Sequence, residues 1–272
     1  MLEKRSLPQR LGKNVNGYFG DAIQIRDVLK ECVAAGRAHG WTVEEISAAP
    51  KPSLLTLKRI PEHLPGGEEK PVHIYISAGI HGDEPAGPLA ARGLLQENDW
   101  PAKAALWICP CLNPTGFLAG RRENDDGLDL NRQYLELKAA ETLAHMDWLS
   151  RQPHFDLSLC LHEDWESHGF YVYELNPDEQ SSLAEAIVNA AAELCPIDMS
   201  DVIEGRAARN GIIRPSLDPR SRPQWPESFY LLTNKTRLSY TLEGPSDFPL
   251  EARVSALVAA VKAAVKTKCA QS

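Results

Sequence analysis

The stretch Val72-His-Ile-Tyr-Ile-Ser-Ala-Gly-Ile-His81-Gly-Asp-Glu84-Pro-Ala-Gly87 decides how the chain is read. Its first half, Val72–Ile80, is an apolar run of strand length, and its second half gives way to a helix expected over Pro85–Gln96. Outward from it, buried strands are read at Ala104–Cys111 and Phe155–Leu161, and further strands at Phe170–Leu175 and Leu238–Glu243. Apolar residues at helical intervals predict helices over Asp21–His39, Gln133–Leu149, Pro177–Leu194 and Leu250–Lys268. Two β-rich stretches, Trp41–Ile46 and Leu54–Ile60, precede a Pro/Gly-rich turn at Pro61–Gly67. Strand–helix alternation of this kind implies an α/β fold on a mainly parallel sheet. Between Ile203 and Pro226 runs an irregular stretch rich in Arg and Pro, longer than the usual connection. Loops of that length are often functional; the plainer reading is an exposed excursion with solvated arginines.

With 272 residues, 43% hydrophobic and 24% charged, the chain has the apolar content for a sizeable core, which excludes intrinsic disorder. No apolar run approaches the roughly 18 residues that cross a bilayer. A formal charge of −8 gives no footprint for a phosphate backbone, so no nucleic-acid partner is expected. The first residues, MLEKRSLPQRLGKN, lack the apolar segment of a secretory signal, and a cytoplasmic location is expected. Cys32, Cys109, Cys111, Cys160, Cys195 and Cys269 show no C-x-x-C spacing and read as reduced core thiols. Cys109 and Cys111 would share one face of a strand.

Chemistry concentrates where strands end. In an α/β sheet ligands bind at the carboxyl ends of parallel strands, so His81 would leave the sheet there, with Glu84 following in the first helical turn. As a bare pair they read either as metal ligands or as chance neighbours in a chain with eight histidines. A catalytic zinc takes three protein ligands and an open position. The candidate for the third is His162, at the end of Phe155–Leu161, with His168 in reserve. After the strand Ala104–Cys111 come Asn113-Pro-Thr-Gly-Phe117 and the run Arg122-Glu-Asn-Asp-Asp-Gly-Leu-Asp129-Leu-Asn131-Arg132. Arg122, Asn131 and Arg132 offer charged forks and an amide donor suited to a substrate carboxylate and an oxyanion. Alternatively this is a surface loop whose arginines pair with Glu123, Asp125 and Asp126. Glu243 closes the last apolar strand on the same presumed edge, where burial would be costly without a partner or a task.

Taken in order, these motifs resemble the zinc carboxypeptidases of the carboxypeptidase A type and their succinylglutamate desuccinylase/aspartoacylase-like deacylase relatives. The resemblance runs from about Val72 to Pro245. It implies a single-domain, three-layer α/β/α fold over residues 1–272, with a mixed, mainly parallel sheet. His81, Glu84 and His162 match the family's zinc ligands, implying one zinc ion per chain, and Glu243 matches its catalytic glutamate. Arg122 falls at the oxyanion arginine, and Asn131 and Arg132 at the pair that clamps the substrate's carboxylate. Asp129 corresponds to the carboxylate behind the first zinc histidine. The implied activity is hydrolysis of a C-terminal peptide bond, or alternatively deacylation of an N-acyl amino acid with help from Arg206, Arg209, Arg214, Arg220 or Arg222. A noncatalytic zinc-stabilised binding module is a further reading from a different class. Two features depart from the pattern. Only 77 residues separate Glu84 from His162, as in the compact bacterial and deacylase branches. Ser221-Arg-Pro-Gln-Trp225 holds no tyrosine where the family's mobile substrate tyrosine falls; Tyr230 and Tyr173 are the candidate substitutes.

Overall fold

The computed structural model describes residues 6–14, 21–64, 70–136, 138–218 and 223–272. Part of the Pro61–Gly67 turn, together with Arg220, Ser221 and Arg222, lies outside the described residues. The expected strands form at Thr42–Ile46 (β1), Leu54–Arg59 (β2), Val72–Ala78 (β3), Ala104–Cys109 (β4), Leu157–Asp164 (β5) and Tyr171–Leu175 (β6). Short strands Val202–Ile203 (β7), Arg206–Arg209 (β8) and Ile212–Ile213 (β9) precede Ser239–Pro245 (β10). They join in one mixed ten-stranded sheet, ordered β1-β2-β4-β3-β5-β10-β6-β9-β8-β7. The central strands β4, β3, β5 and β10 all run parallel, and antiparallel pairs flank them.

Side-chain alternation splits the interior into two cores, one on each face of the sheet. Ile74, Ile76 and Ala78 of β3, with Leu157, Leu159 and Leu161 of β5, face one way. There they meet α1 (Ile25–Ala38), α2 (Ala86–Glu97), α5 (Ala184–Ala192) and α7 (Leu250–Gln271). Tyr75, Trp107 and Cys160 face the other way, against Trp148 and Leu149 of α4 (Ala140–Ser150) and Leu231 of α6 (Glu227–Asn234). Among the described residues no helix is long and apolar enough to cross a membrane.

Several boundaries differ from the sequence reading. Residues 133–136 do not extend α4 to its amino side, because the Tyr134 amide is spent on the Trp225 carbonyl. Residues 177–183 precede α5 as a turn in which Asn176 Oδ1 accepts from the Gln180 amide, the local bonding by which Asn diverts a chain from helix. β4 ends at Cys109, so Cys109 and Cys111 fall into opposite cores rather than on one face. All six cysteines are buried free thiols, as read. The stretch Ile203–Pro226 is not wholly irregular: it contains the β8–β9 hairpin, whose β9 pairs with β6 and so extends the sheet.

Candidate metal centre

β3 stops at Ala78, and Gly79, in the left-handed region at φ 62°, turns the chain so that Ile80 and His81 leave the sheet. A Cβ at Gly79 would also stand 2.9 Å from Pro88 and 3.0 Å from Phe117. The next glycine is set by space alone. A Cβ on Gly82 would lie 2.1 Å from the Gly116 carbonyl carbon and 2.5 Å from the Arg121 carbonyl oxygen. The His81 loop therefore sits directly on the backbone of α3 (Pro114–Ala119) and of the arginine segment after it. Glu84 stands two residues before α2 begins rather than inside its first turn. β5 continues past the expected end, so His162 lies within it, in parallel register with Glu243 of β10.

The ends of β3 and β5 bring His81, Glu84 and His162 together. Each is buried, and one ligand atom from each lies within 4.8 Å of the others. Among the described residues they are the one such group of three. Glu84 sits between the rings, its Oε1 2.5 Å from His81 Nδ1 and its Oε2 3.0 Å from His162 Nδ1. Burial opposes charge on all three, but mutual attraction outweighs it. His81 is raised to about 8 by Glu84 and Asp129, His162 is raised by Glu84, and Glu84 is held well below the usual carboxylate range by both histidines. Two buried imidazoles and a buried carboxylate, with donor atoms within 4.8 Å of one another, are donor types that zinc takes, and three protein donors leave a position for a small molecule. The donor set therefore fits the ion. His168 stands apart, its amide held by Asp198.

Asp129 joins the cluster to the arginine segment. Its Oδ1 is 3.3 Å from His81 Nε2 and accepts from the Asn131 amide at 2.9 Å, and its Oδ2 accepts from Arg122 Nε at 3.1 Å. Burial disfavours its charge, yet His81 and Arg122 hold it well below its ordinary value. Arg122 also approaches Glu84, at 3.6 Å. Arg122, Asn131 and Arg132 line a cavity of about 700 Å³ together with His81, Glu84, His162 and Glu243. The alternative of a loop spent on its own acids is thus not what forms: Lys51 holds Asp125 and Asp126. Glu243 is 9% exposed, and burial pushes its carboxyl well above the usual range.

Of the two candidate tyrosines, Tyr173 lines the cavity and donates to Glu204, whereas Tyr230 packs against Tyr134 with the rings tilted by 37° and their centroids 5.7 Å apart. Of the additional arginines, Arg206 lines the cavity and Arg214 pairs with Glu174 at 2.5 Å. Asp164, Glu204, Ser228 and Phe229 also line it and had no signal in the sequence beyond residue type. Glu204 and Arg206 come from the long Arg/Pro-rich stretch, whose length was the one hint available.

Fold and site together define a metallocarboxypeptidase-like α/β protein with a His-Glu-His centre. Within that class the chain belongs to the succinylglutamate desuccinylase/aspartoacylase family, whose catalytic-domain model matches residues 71–209. A structure from Shewanella denitrificans OS217, described provisionally as a metallopeptidase, superposes with a TM-score of 0.75 at 22% identity, covering 90% of each chain. A metallo-carboxypeptidase from Burkholderia cenocepacia superposes with a TM-score of 0.69 at 20% identity, covering 92% of this chain and 70% of that one. Carboxypeptidase SOL1 of Arabidopsis thaliana is 33% identical over 126 residues, which cover 35% of this chain and 23% of that protein. The match thus spans less than a quarter of that plant relative.

Proposed function

We propose that the protein is a zinc-dependent carboxypeptidase that hydrolyses the amide linking an amino acid with a free carboxylate to the acyl group before it. One observation carries the reading: a buried Glu243 lines the same cavity as the His81-Glu84-His162 cluster and as Arg122, Asn131 and Arg132. A structural metal site needs neither the acid nor the arginines. His81, Glu84 and His162 would hold the ion, which supplies Lewis acidity and makes water more acidic when bound.

The remaining work falls to side chains of this chain. Glu243 takes the proton of the attacking water at its carboxylate and hands it to the leaving nitrogen, a task suited to a carboxyl whose pKa is raised by burial. Arg122, oriented by Asp129, faces the oxygen on which negative charge develops. Asn131 and Arg132 hold the carboxylate of the departing amino acid. A second reading, removal of a short acyl group from an N-acyl amino acid, is favoured by the family match. Both readings cleave the same kind of bond and differ in what lies on the acyl side.

The test begins with zinc content by plasma mass spectrometry for wild type, His81→Ala and His162→Ala. One zinc per chain, lost in both folded variants, is expected. Hydrolysis of a blocked dipeptide is then compared with hydrolysis of N-succinyl-L-glutamate. Preference for the dipeptide supports the carboxypeptidase, and preference for the succinyl compound moves the assignment to the deacylase. A wild type that retains no zinc after resupply overturns both.

A further inference from the structure

Glu227, the first residue of α6, is wholly buried and has no part in the hydrolysis proposed above. Its carboxyl accepts from Ser77 Oγ at 2.8 Å and from the Tyr75 hydroxyl at 3.2 Å. Because Tyr75 spends its proton on Glu227, its oxygen is left to accept from His145 Nε2, 2.7 Å away. His145 Nδ1 then accepts from the Tyr134 hydroxyl, also at 2.7 Å. Every donor in the chain therefore points towards Glu227. Two of them, Tyr75 and Ser77, belong to β3, the strand that leads to His81.

The fastening holds a backbone group in place. The Glu227 N–H stands in the first turn of α6, where an N–H has no carbonyl partner inside the helix. It donates instead to Asn131 Oδ1 at 2.9 Å. With that oxygen engaged, Nδ2 is the Asn131 atom left to donate into the cavity. A reversed amide would present oxygen to a carboxylate and repel it.

We propose that Glu227 is a positioning residue for carboxylate recognition: its buried carboxyl moors α6 so that its own N–H aims the Asn131 amide into the cavity. The inference rests on the reading of Asn131 given under the proposed function. Removing the carboxyl takes away the acceptor through which Ser77 and Tyr75 of β3 hold the helix, which releases the first turn of α6.

The test uses succinate as a carboxylate probe, titrated by calorimetry into the zinc-supplied full chain. Wild type, Glu227→Ala, Asn131→Ala, the double variant and Glu227→Gln are compared. Glu227→Ala is expected to weaken succinate about tenfold, the worth of one hydrogen bond to a charged group. Glu227→Gln keeps an acceptor and is expected to stay within about threefold of wild type. In the Asn131→Ala background, Glu227→Ala is expected to change binding by less than about twofold, because a positioning effect vanishes with the group it positions. Tyr75→Phe removes one tether, follows the same Asn131-dependent pattern, and serves if Glu227→Ala does not fold. Equal weakening with and without Asn131, or unchanged succinate binding in folded Glu227→Ala, overturns the proposal. A wild type that does not bind succinate overturns the reading of Asn131 and Arg132 itself, and this inference with it.

Discussion

His145 offers a sharp test of the core beneath the site. Its ring is wholly buried between the Tyr134 and Tyr75 hydroxyls, and burial pushes its pKa down to about 3 from 6.5. As pH falls through 6.5, the unfolded chain takes up a proton that the folded chain refuses until about pH 3. Stability is therefore lost across that window. From these two values the unfolded state is favoured by about 2.7 kcal/mol at pH 4.5, against about 0.2 kcal/mol at pH 7. At about 2 °C per kcal/mol for a chain of this size, this one group lowers the melting temperature by about 5 °C. Other groups titrate over the same range, so the comparison is with His145→Gln, which shares them and lacks the linked proton. Urea unfolding of metal-free protein from pH 7 to 4.5 is expected to cost wild type about 2.5 kcal/mol more than the variant. Equal pH dependence in the two proteins, or an NMR titration placing the native ring near 6.5, would refute a buried neutral His145.

Arg253 is fully buried on α7 and donates to Glu163, which is equally buried, so Arg253→Met leaves a buried carboxyl without its cationic partner and held by the Ala86 amide. A loss of about 3–5 kcal/mol is expected, seen as a melting temperature lower by about 6–10 °C. Gly82→Ala drives a methyl into the Gly116 and Arg121 backbone and is expected to cost about 1–3 kcal/mol. It should also speed zinc loss to a chelator, because His81 moves with the loop; unchanged zinc retention would show that the loop yields elsewhere. Glu243→Gln is expected to retain zinc while turnover falls on the order of 100-fold or more, and loss of the metal instead would make Glu243 a ligand.

The residues proposed to carry chemistry were largely legible, because each has a positional signal. His81, His162 and Glu243 close or leave apolar strands, and strands predicted from apolar runs formed where the runs lie. Arg122, Asp129, Asn131 and Arg132 stood out only as a motif, since nothing local says that the segment folds back over the His81 loop. The absence of a Cβ at Gly82 and Gly116 permits that approach, and it becomes visible only with both backbones in place. α6 and the strands β7–β9 were not read, for different reasons. The three strands hold two to four residues, too few to display a period of two, and Ile212 and Ile213 form strand because β6 offers an edge. α6 follows a Pro-rich stretch, and its buried Glu227 looks in sequence like any acid at the start of a helix.

Asp129 explains why the arginine segment and the strand-end histidine belong to one device. A single carboxylate accepts from Arg122, receives the Asn131 amide, and stands behind His81. Three groups with separate proposed tasks, oxyanion contact, carboxylate recognition and metal ligation, are thus indexed to the same two oxygen atoms. Asn131 is fixed a second time, through its side chain, by α6. The spacing of Arg122, Asp129 and Asn131 therefore has a physical meaning. Asp129 is the N-cap of the short turn Leu130–Arg132, and capping through the Asn131 amide sets the carboxylate's orientation. Arg122 reaches that carboxylate from seven residues before it. The charged lining of the cavity is divided in the same way: Arg122 and Arg132 come from this segment, and Glu243 comes from β10, in register beside His162. On the proposed function, a substrate's carboxylate would meet the arginine segment while its scissile bond met the carboxyl that β10 supplies, so the two tasks fall to different elements of the fold.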